Sequence, residues 1–205
     1  MYVLTNKVST GTLNIASTRG KYWIAAVLLL FGSQQLATGT YIYAKAILAQ
    51  HLIQFAWQKT LSTDEQSKPW DWADTYPIAK LRVAKQELFV LAGASGRTLA
   101  FAPGHMSSSS LPGKTGNSVI VGHRDTHFNV LKNVKMGDKI EVQTPTGNHL
   151  YMVKNLQVVP QDYTQVLASS DQTLLTLITC YPFDSNLSNP ELRYVVSAEL
   201  LGAKI

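Results

Sequence analysis

The run Thr173–Cys180, TLLTLITC, constrains this chain most. Thr, Leu and Ile suit a pleated strand, and neither Gly nor Pro interrupts them. The run reads as one buried strand, and Tyr181-Pro182-Phe183-Asp184-Ser185-Asn186 ends it with turn chemistry. The strand stops on Cys180, the only cysteine among 205 residues. A strand end fixes the backbone and the loop beyond leaves the side chain reachable, which suits a nucleophile. A free Cys also serves as a small buried hydrophobe, so the strand by itself leaves both readings open.

Two further residues bear on that choice. His123 follows the apolar strand Ser118–Gly122 and stands in the cluster Gly122-His123-Arg124-Asp125. Arg193 opens the strand Arg193-Tyr194-Val195-Val196-Ser197-Ala198-Glu199-Leu200. If the Cys180 and Arg193 strands pair antiparallel, those two residues sit side by side at one rim. A thiol, an imidazole and a guanidinium at strand ends supply a nucleophile, a proton carrier and an oxyanion donor. A free thiol has a pKa of about 8.5, so an adjacent imidazolium is needed to hold the thiolate near neutral pH and then to protonate a leaving amine.

These residues resemble the sortases, cysteine transpeptidases that join proteins to cell surfaces or to each other. TLITC, ending on Cys180, matches their TLxTC signature, and His123 in GHRD and Arg193 complete the pattern. TLITCYPF followed by RYVVSA is similar to class D, whereas PWDWADTYP, LAFAPGH and GHRDTHFNVL look more like the class GN enzymes of Gram-negative bacteria. The resemblance covers about residues 68–201. It implies an eight-stranded barrel with Cys180, His123 and Arg193 as catalytic residues. It also implies a two-stage reaction: Cys180 attacks the carbonyl of a Thr–Gly-like bond in the C-terminal, LPxTG-like sorting signal of a protein substrate, and an amine acceptor resolves the acyl-enzyme. No cofactor is implied. Few acids lie between Leu156 and Asp171, so no calcium requirement is expected.

Supporting residues are less determined. Thr179 shapes either the oxyanion site and groove or only the strand packing. Asp125 either orients His123 or caps a helix starting near Thr126, the cap being the favoured reading. Arg124 competes with Arg193 by proximity, but strand alternation turns it from the side His123 uses. His127 lies four residues beyond His123, but the family pattern falls on His123. In Pro69–Pro77, PWDWADTYP, Trp70 and Trp72 need burial. Class C sortases carry a lid with an Asp and an aromatic, a part that Asp71 with Trp70 or Trp72 could play here; packing on the domain is the simpler expectation.

The rest of the chain reads as mainly β. Strands are expected over Ile78–Val83, Leu88–Leu91, Thr98–Phe101, Ser118–Gly122, Lys139–Thr144, Leu150–Val159, Thr173–Thr179 and Tyr194–Leu201, with short helices near His127–Val134 and Gln161–Ala168. About eight strands can close into a barrel without edges. Met106–Gly116, MSSSSLPGKTG, reads as a mobile loop; its LPGKTG resembles a sorting signal but has one residue too many between Pro and Thr.

At the N-terminus, residues 1–21 are basic and read as a cytoplasmic tail. Residues 22–46 are apolar enough to suggest a transmembrane helix in the bilayer, with Tyr22, Trp23, Tyr41 and Tyr43 as interfacial anchors. A cleaved signal peptide is the alternative. Residues 47–68 then form a helical stalk and linker, and 69–205 the catalytic barrel, placed outside the inner membrane. The net charge of +5 does not indicate nucleic acid: residues 1–67 carry +3 of it and 68–205 only +2, with no basic run. One Cys excludes multi-cysteine metal sites, and the His spacings fit no standard ligand set, so no metal is expected. An L,D-transpeptidase would carry a Ser-His-Gly-Cys-x-Arg cluster, which is absent, and papain-like enzymes place Cys before His. A membrane-held β-barrel binding module with an inactive site remains the non-enzymatic alternative.

Overall fold

A computed structural model describes residues 18–63, 65–185 and 190–204. The chain divides into two units at Lys45/Ala46. Helix α1, Thr18–Thr63, begins in the first and ends in the second. Most of the tail expected over 1–21 lies outside the described residues.

In the first unit the large apolar side chains are uncovered, Trp23 being 74% and Leu30 71% exposed. The expected transmembrane span is not met as such: among the described residues no helix is long and apolar enough to cross a membrane. The reason is local. Gly32-Ser33-Gln34-Gln35 and Thr38-Gly39-Thr40 dilute the apolar run, and the hydroxyls of Ser33, Thr38 and Thr40 return to the carbonyls of Leu30, Gln34 and Leu36.

In the second unit the last turns of α1 are not a free stalk. Ile53, Ala56 and Trp57 are buried, Ile53 against Leu91 and Ala102, and the Gln50 amide donates to the Phe101 carbonyl at 2.6 Å. The strands are β1 (Pro77–Val83), β2 (Gln86–Ala92), β3 (Gly104–His105), β4 (Gly116–Val121), β5 (Lys139–Thr144), β6 (Gly147–Pro160), β7 (Thr173–Tyr181) and β8 (Leu192–Lys204). Among the described residues they close into one barrel in the order β1-β2-β3-β4-β7-β8-β6-β5. Closure joins the two edges of the sheet, most thinly at β3, which pairs two residues with β2 and two with β4.

Alternation decides what each strand covers. Leu175 and Leu177 of β7, Ile120 of β4 and Val196 of β8 point into the barrel, where they meet Val83, Val142 and Tyr151. The alternate set, Val119, Ile178, Val195 and Val159, forms a second apolar cluster on the outside, covered by Val166 and Leu167 of the β6–β7 connection. β7 is therefore buried on both faces, as its unbroken apolar run requires.

One expected strand is wrong. Thr98–Phe101 is not extended, because the Ser95 hydroxyl accepts from the Thr98 amide at 3.2 Å and starts the single turn α2, Gly96–Leu99. The strand in that part of the barrel is the two-residue β3. The expected helices are 3-10 segments, His127–Asn133 of about two turns and Thr164–Leu167 of about one.

The loop 106–116, expected to be mobile, is pinned along its length. The Ser109 hydroxyl accepts from Val119 N at 3.0 Å, Ser110 N donates to the Asn117 carbonyl, and Gly113 N donates to the Tyr151 hydroxyl at 2.8 Å. Gly113 has φ +84°, and the His149 ring occupies the place a β-carbon would take.

Candidate active site

β4 and β7 run parallel, from Gly116 opposite Thr173 to Val121 opposite Ile178. Gly122 N then donates to the Ile178 carbonyl at 3.1 Å, and the Thr179 hydroxyl donates to the Gly122 carbonyl at 2.8 Å. Continuing that register two residues past Val121 and Ile178 brings His123 level with Cys180 at the strand ends. β8 pairs antiparallel with β7 on the other side, and Cys180 is the direct partner of Arg193. The three catalytic candidates thus converge from neighbouring strands at one rim, with His123 exposed and Cys180 and Arg193 partly covered.

Side-chain direction follows from parity. Cys180 shares the outward face of β7 with Ile178, and Arg193 shares that of β8 with Val195. This face floors a groove of about 170 Å³ lined by Val121, Val159, Val166, Leu167, Ile178 and Arg193, among others. A larger depression of about 350 Å³ lies elsewhere, over Lys80, Arg82, Glu141 and His149, and contains none of the candidate residues. The smaller, more apolar groove is the one that Arg193, the strand partner of Cys180, lines.

Asn117, not singled out in the sequence, holds one wall of this groove. Its Nδ2 donates to the carbonyls of Val166 and Ala168 at 3.0 and 3.2 Å, and its Oδ1 accepts from the Thr176 hydroxyl at 2.7 Å. The available signal was a polar residue inside the otherwise apolar strand Gly116–Val121.

The supporting residues resolve individually. Thr179 points away from the groove, is 2% exposed, and ties β7 to the turn carrying His123. Gly122 leaves room for the buried Phe128 ring, which a methyl would approach to 2.9 Å. The favoured capping role of Asp125 is not what the structure shows: the segment His127–Asn133 has no side-chain cap, and Asp125 accepts two hydrogen bonds from Arg124, at 2.6 and 3.0 Å. The Arg124 bond holds the Asp125 carboxyl below its usual range. Arg124, set aside in the sequence, is only 5% exposed, and its Nη1 donates to the Pro182 carbonyl at 2.9 Å.

Arg193 keeps its guanidinium at the groove edge. Nη1 donates to the Pro190 and Leu192 carbonyls and Nη2 to Gln161 Oε1 at 3.0 Å. His127 is disfavoured as the proton carrier: burial, and then the neighbouring His123 charge, push its imidazole below its ordinary range. The expected packing holds for Trp70, whose ring meets Phe101 edge-on with centroids 5.2 Å apart, but not for Trp72, which is 86% exposed beside the exposed Asp71. Among the described residues no group of three His, Cys, Asp or Glu side chains is placed to hold a metal ion.

A sortase-domain family model matches residues 79–201. Sortase D of Bacillus subtilis (strain 168) is 31% identical over 120 residues, which is 58% of this chain and 60% of that protein. The chain therefore matches less than two thirds of that relative's length. Among solved structures, a Clostridium perfringens Sortase D5 transpeptidase shares the fold, with TM-score 0.62 at 22% identity over 76% of this chain and 99% of that one. Sortase A from Corynebacterium diphtheriae matches with TM-score 0.59 at 25% identity over 76% and 85%. The pilus-related Sortase C of Group B Streptococcus matches with TM-score 0.56 at 28% identity over 62% and 68%. The matched region runs from β1 into β8 and takes in the whole Cys180 rim, and by that match the chain belongs to the sortase family.

Proposed function

We propose that this chain is a transpeptidase in which Cys180 is the nucleophile, His123 the proton carrier and Arg193 the oxyanion donor. The observation that carries the reading is the pairing of Cys180 with Arg193 across β7 and β8, with Arg193 lining the apolar groove. An extended C-terminal sorting signal of LPxTG type lies along that groove with its scissile carbonyl over the thiol. The Cys180 thiolate adds to the carbonyl carbon, and Arg193 stabilises the oxyanion. Collapse breaks the C–N bond, His123 gives its proton to the departing amine, and a thioester remains. An acceptor amine attacks the thioester, His123 takes up the proton, and the Cys180 sulfur leaves as a new amide forms. Fixed donors of the kind Arg193 provides are worth about 3–4 kcal/mol at the transition state.

Within the family, TLITCYPF and the likeness to the Bacillus subtilis Sortase D favour class D, while PWDWADTYP and GHRDTHFNVL favour a GN-type enzyme with a dedicated target. A lid built from Asp71 with Trp70 or Trp72 requires that segment to leave its contact with Phe101. The same reading places the barrel outside the cytoplasm, held to a lipid surface by residues 22–46. The uncovered apolar side chains of that stretch support this, and membrane fractionation of cells with and without residues 22–46 tests it.

The test is intact-mass spectrometry of the full chain with a pool of LPxTG-like peptides, with and without a primary amine, beside Cys180→Ala. A Cys180-dependent acyl adduct that the amine converts to a new amide is the expected result. No adduct from any peptide, together with a Cys180 inert to small alkylating agents, would favour a binding module.

A further inference from the structure

Between an exposed His123 and an exposed Asp125 stands a covered arginine: 5% of the Arg124 side chain reaches solvent, against 69% for Asp125. A guanidinium is costly to cover, and a covered one is tolerated when its donors are met by a carboxylate and carbonyls. Arg124 Nε and Nη2 grip the two oxygens of Asp125 at 2.6 and 3.0 Å, and Nη1 reaches the Pro182 carbonyl at 2.9 Å. That carbonyl lies two residues beyond Cys180. One side chain therefore ties the turn carrying His123 to the loop leaving the thiol. Its charge also acts on Cys180, and His123 acts on Asp125.

We propose that Arg124 is a positioning residue for the reacting thiol. It braces the Cys180 loop against the His123 turn and adds positive potential at the sulfur, while Asp125 serves as the counter-charge that trims this potential. Among the described residues, the other titratable groups on the elements beside the thiol are His123, Asp125 and His127 on the β4 side, Arg193 and Tyr194 on β8, Tyr181 on its own strand, and Asp184 on the loop beyond it. The proposal rests on Cys180 as the reacting thiol. Its test reads the thiol directly, so a failure to transpeptidate is not mistaken for a failure of this inference.

The full chain is alkylated with iodoacetamide, a neutral reagent, across a pH series at low salt, where screening is weakest. Cys180 is the only cysteine, so the mass shift reports it alone. Arg124→Met is expected to raise the midpoint of the rate profile, Asp125→Asn to lower it, and Arg124→Lys to fall between Arg124→Met and the unaltered chain. Each shift should be about 0.3–1 pH unit, or roughly two- to tenfold in rate below the midpoint. Arg124→Met and Asp125→Asn break the same ion pair, so a purely structural brace predicts shifts in one direction or none, and either result overturns the proposal. Should Arg124→Met fail to fold, the exposed Asp125→Asn decides alone: a lowered midpoint supports the proposal, and an unchanged or raised one overturns it.

Discussion

Two regions of the barrel use the same kinds of side chain in opposite ways. Where β4 and β7 end, His123 is exposed, Cys180 is partly open, and Arg193 borders a groove. Along the loop 106–116, His105 is 4% exposed and its Nε2 meets the Ser110 carbonyl at 2.9 Å and the Ser109 hydroxyl at 3.1 Å. His149 likewise packs on Gly113 and contacts Thr144 Oγ1 at 3.1 Å. In the first region His123 and Cys180 stay open to a ligand; in the second the imidazoles are packed against the protein. Residue type therefore does not identify the site in this chain. Exposure at a strand end does.

Substitutions at the two regions should separate activity from stability. His123→Ala should lower transpeptidation by about 10²–10⁴-fold, the usual worth of a positioned acid–base group, and move the melting temperature little. Arg193→Ala should cost about 10²–10³-fold in kcat/KM, with the loss mainly in kcat. Gly113→Ala should do the reverse: a positive φ and a collision with His149 cost about 2–4 kcal/mol of stability, and kcat is kept at temperatures where the protein is folded. Parallel melts and peptide kinetics check all three. A Gly113→Ala protein with normal melting and poor kcat would break the comparison, because the loop would then be part of the chemistry.

Much of this division was legible in the sequence. β5 occupies its expected bounds, Lys139–Thr144, and the Cys180–Arg193 pairing follows from two consecutive strands joined as antiparallel neighbours. β3 was not legible, because two residues have no period; hydrogen bonding to β2 and β4 makes it a strand. Serine-rich composition made the loop 106–116 read as mobile, whereas Ser109 and Ser110 are bonded to partners across the turn. The burial of Arg124 depends on Pro182, 58 residues away, and alternation along one strand cannot register a partner that distant. The three candidate residues could be read from strand ends, whereas the contacts of Arg124 and Asn117 that brace them were visible only in the fold.

A smaller effect should arise where the two roles meet. Thr179 is buried and packs as structure, yet its hydroxyl holds the carbonyl of Gly122, the residue before His123. Thr179→Val keeps the shape and removes that bond, costing about 1 kcal/mol. Because the freed carbonyl borders the His123 turn, kcat should fall severalfold while Cys180 alkylation is unchanged. An unaltered kcat would assign Thr179 to packing alone.

The smallest effect tests the buried histidine itself. Burial pushes the His105 imidazole below its ordinary range, and the bond to the Ser110 carbonyl only partly offsets this. A depressed folded-state pKa means the unfolded chain binds the proton first. Stability from this residue is then fully present above the unfolded pKa of about 6.5 and is lost as pH falls from there toward the folded value. Melting temperatures should decline between pH 7.5 and 5 with a component that His105→Gln removes, although that variant starts from lower stability at pH 7.5. His123→Ala, at an exposed imidazole of the other region, is the control. If His123→Ala flattened the limb and His105→Gln did not, the burial contrast between the two regions would have to be reversed.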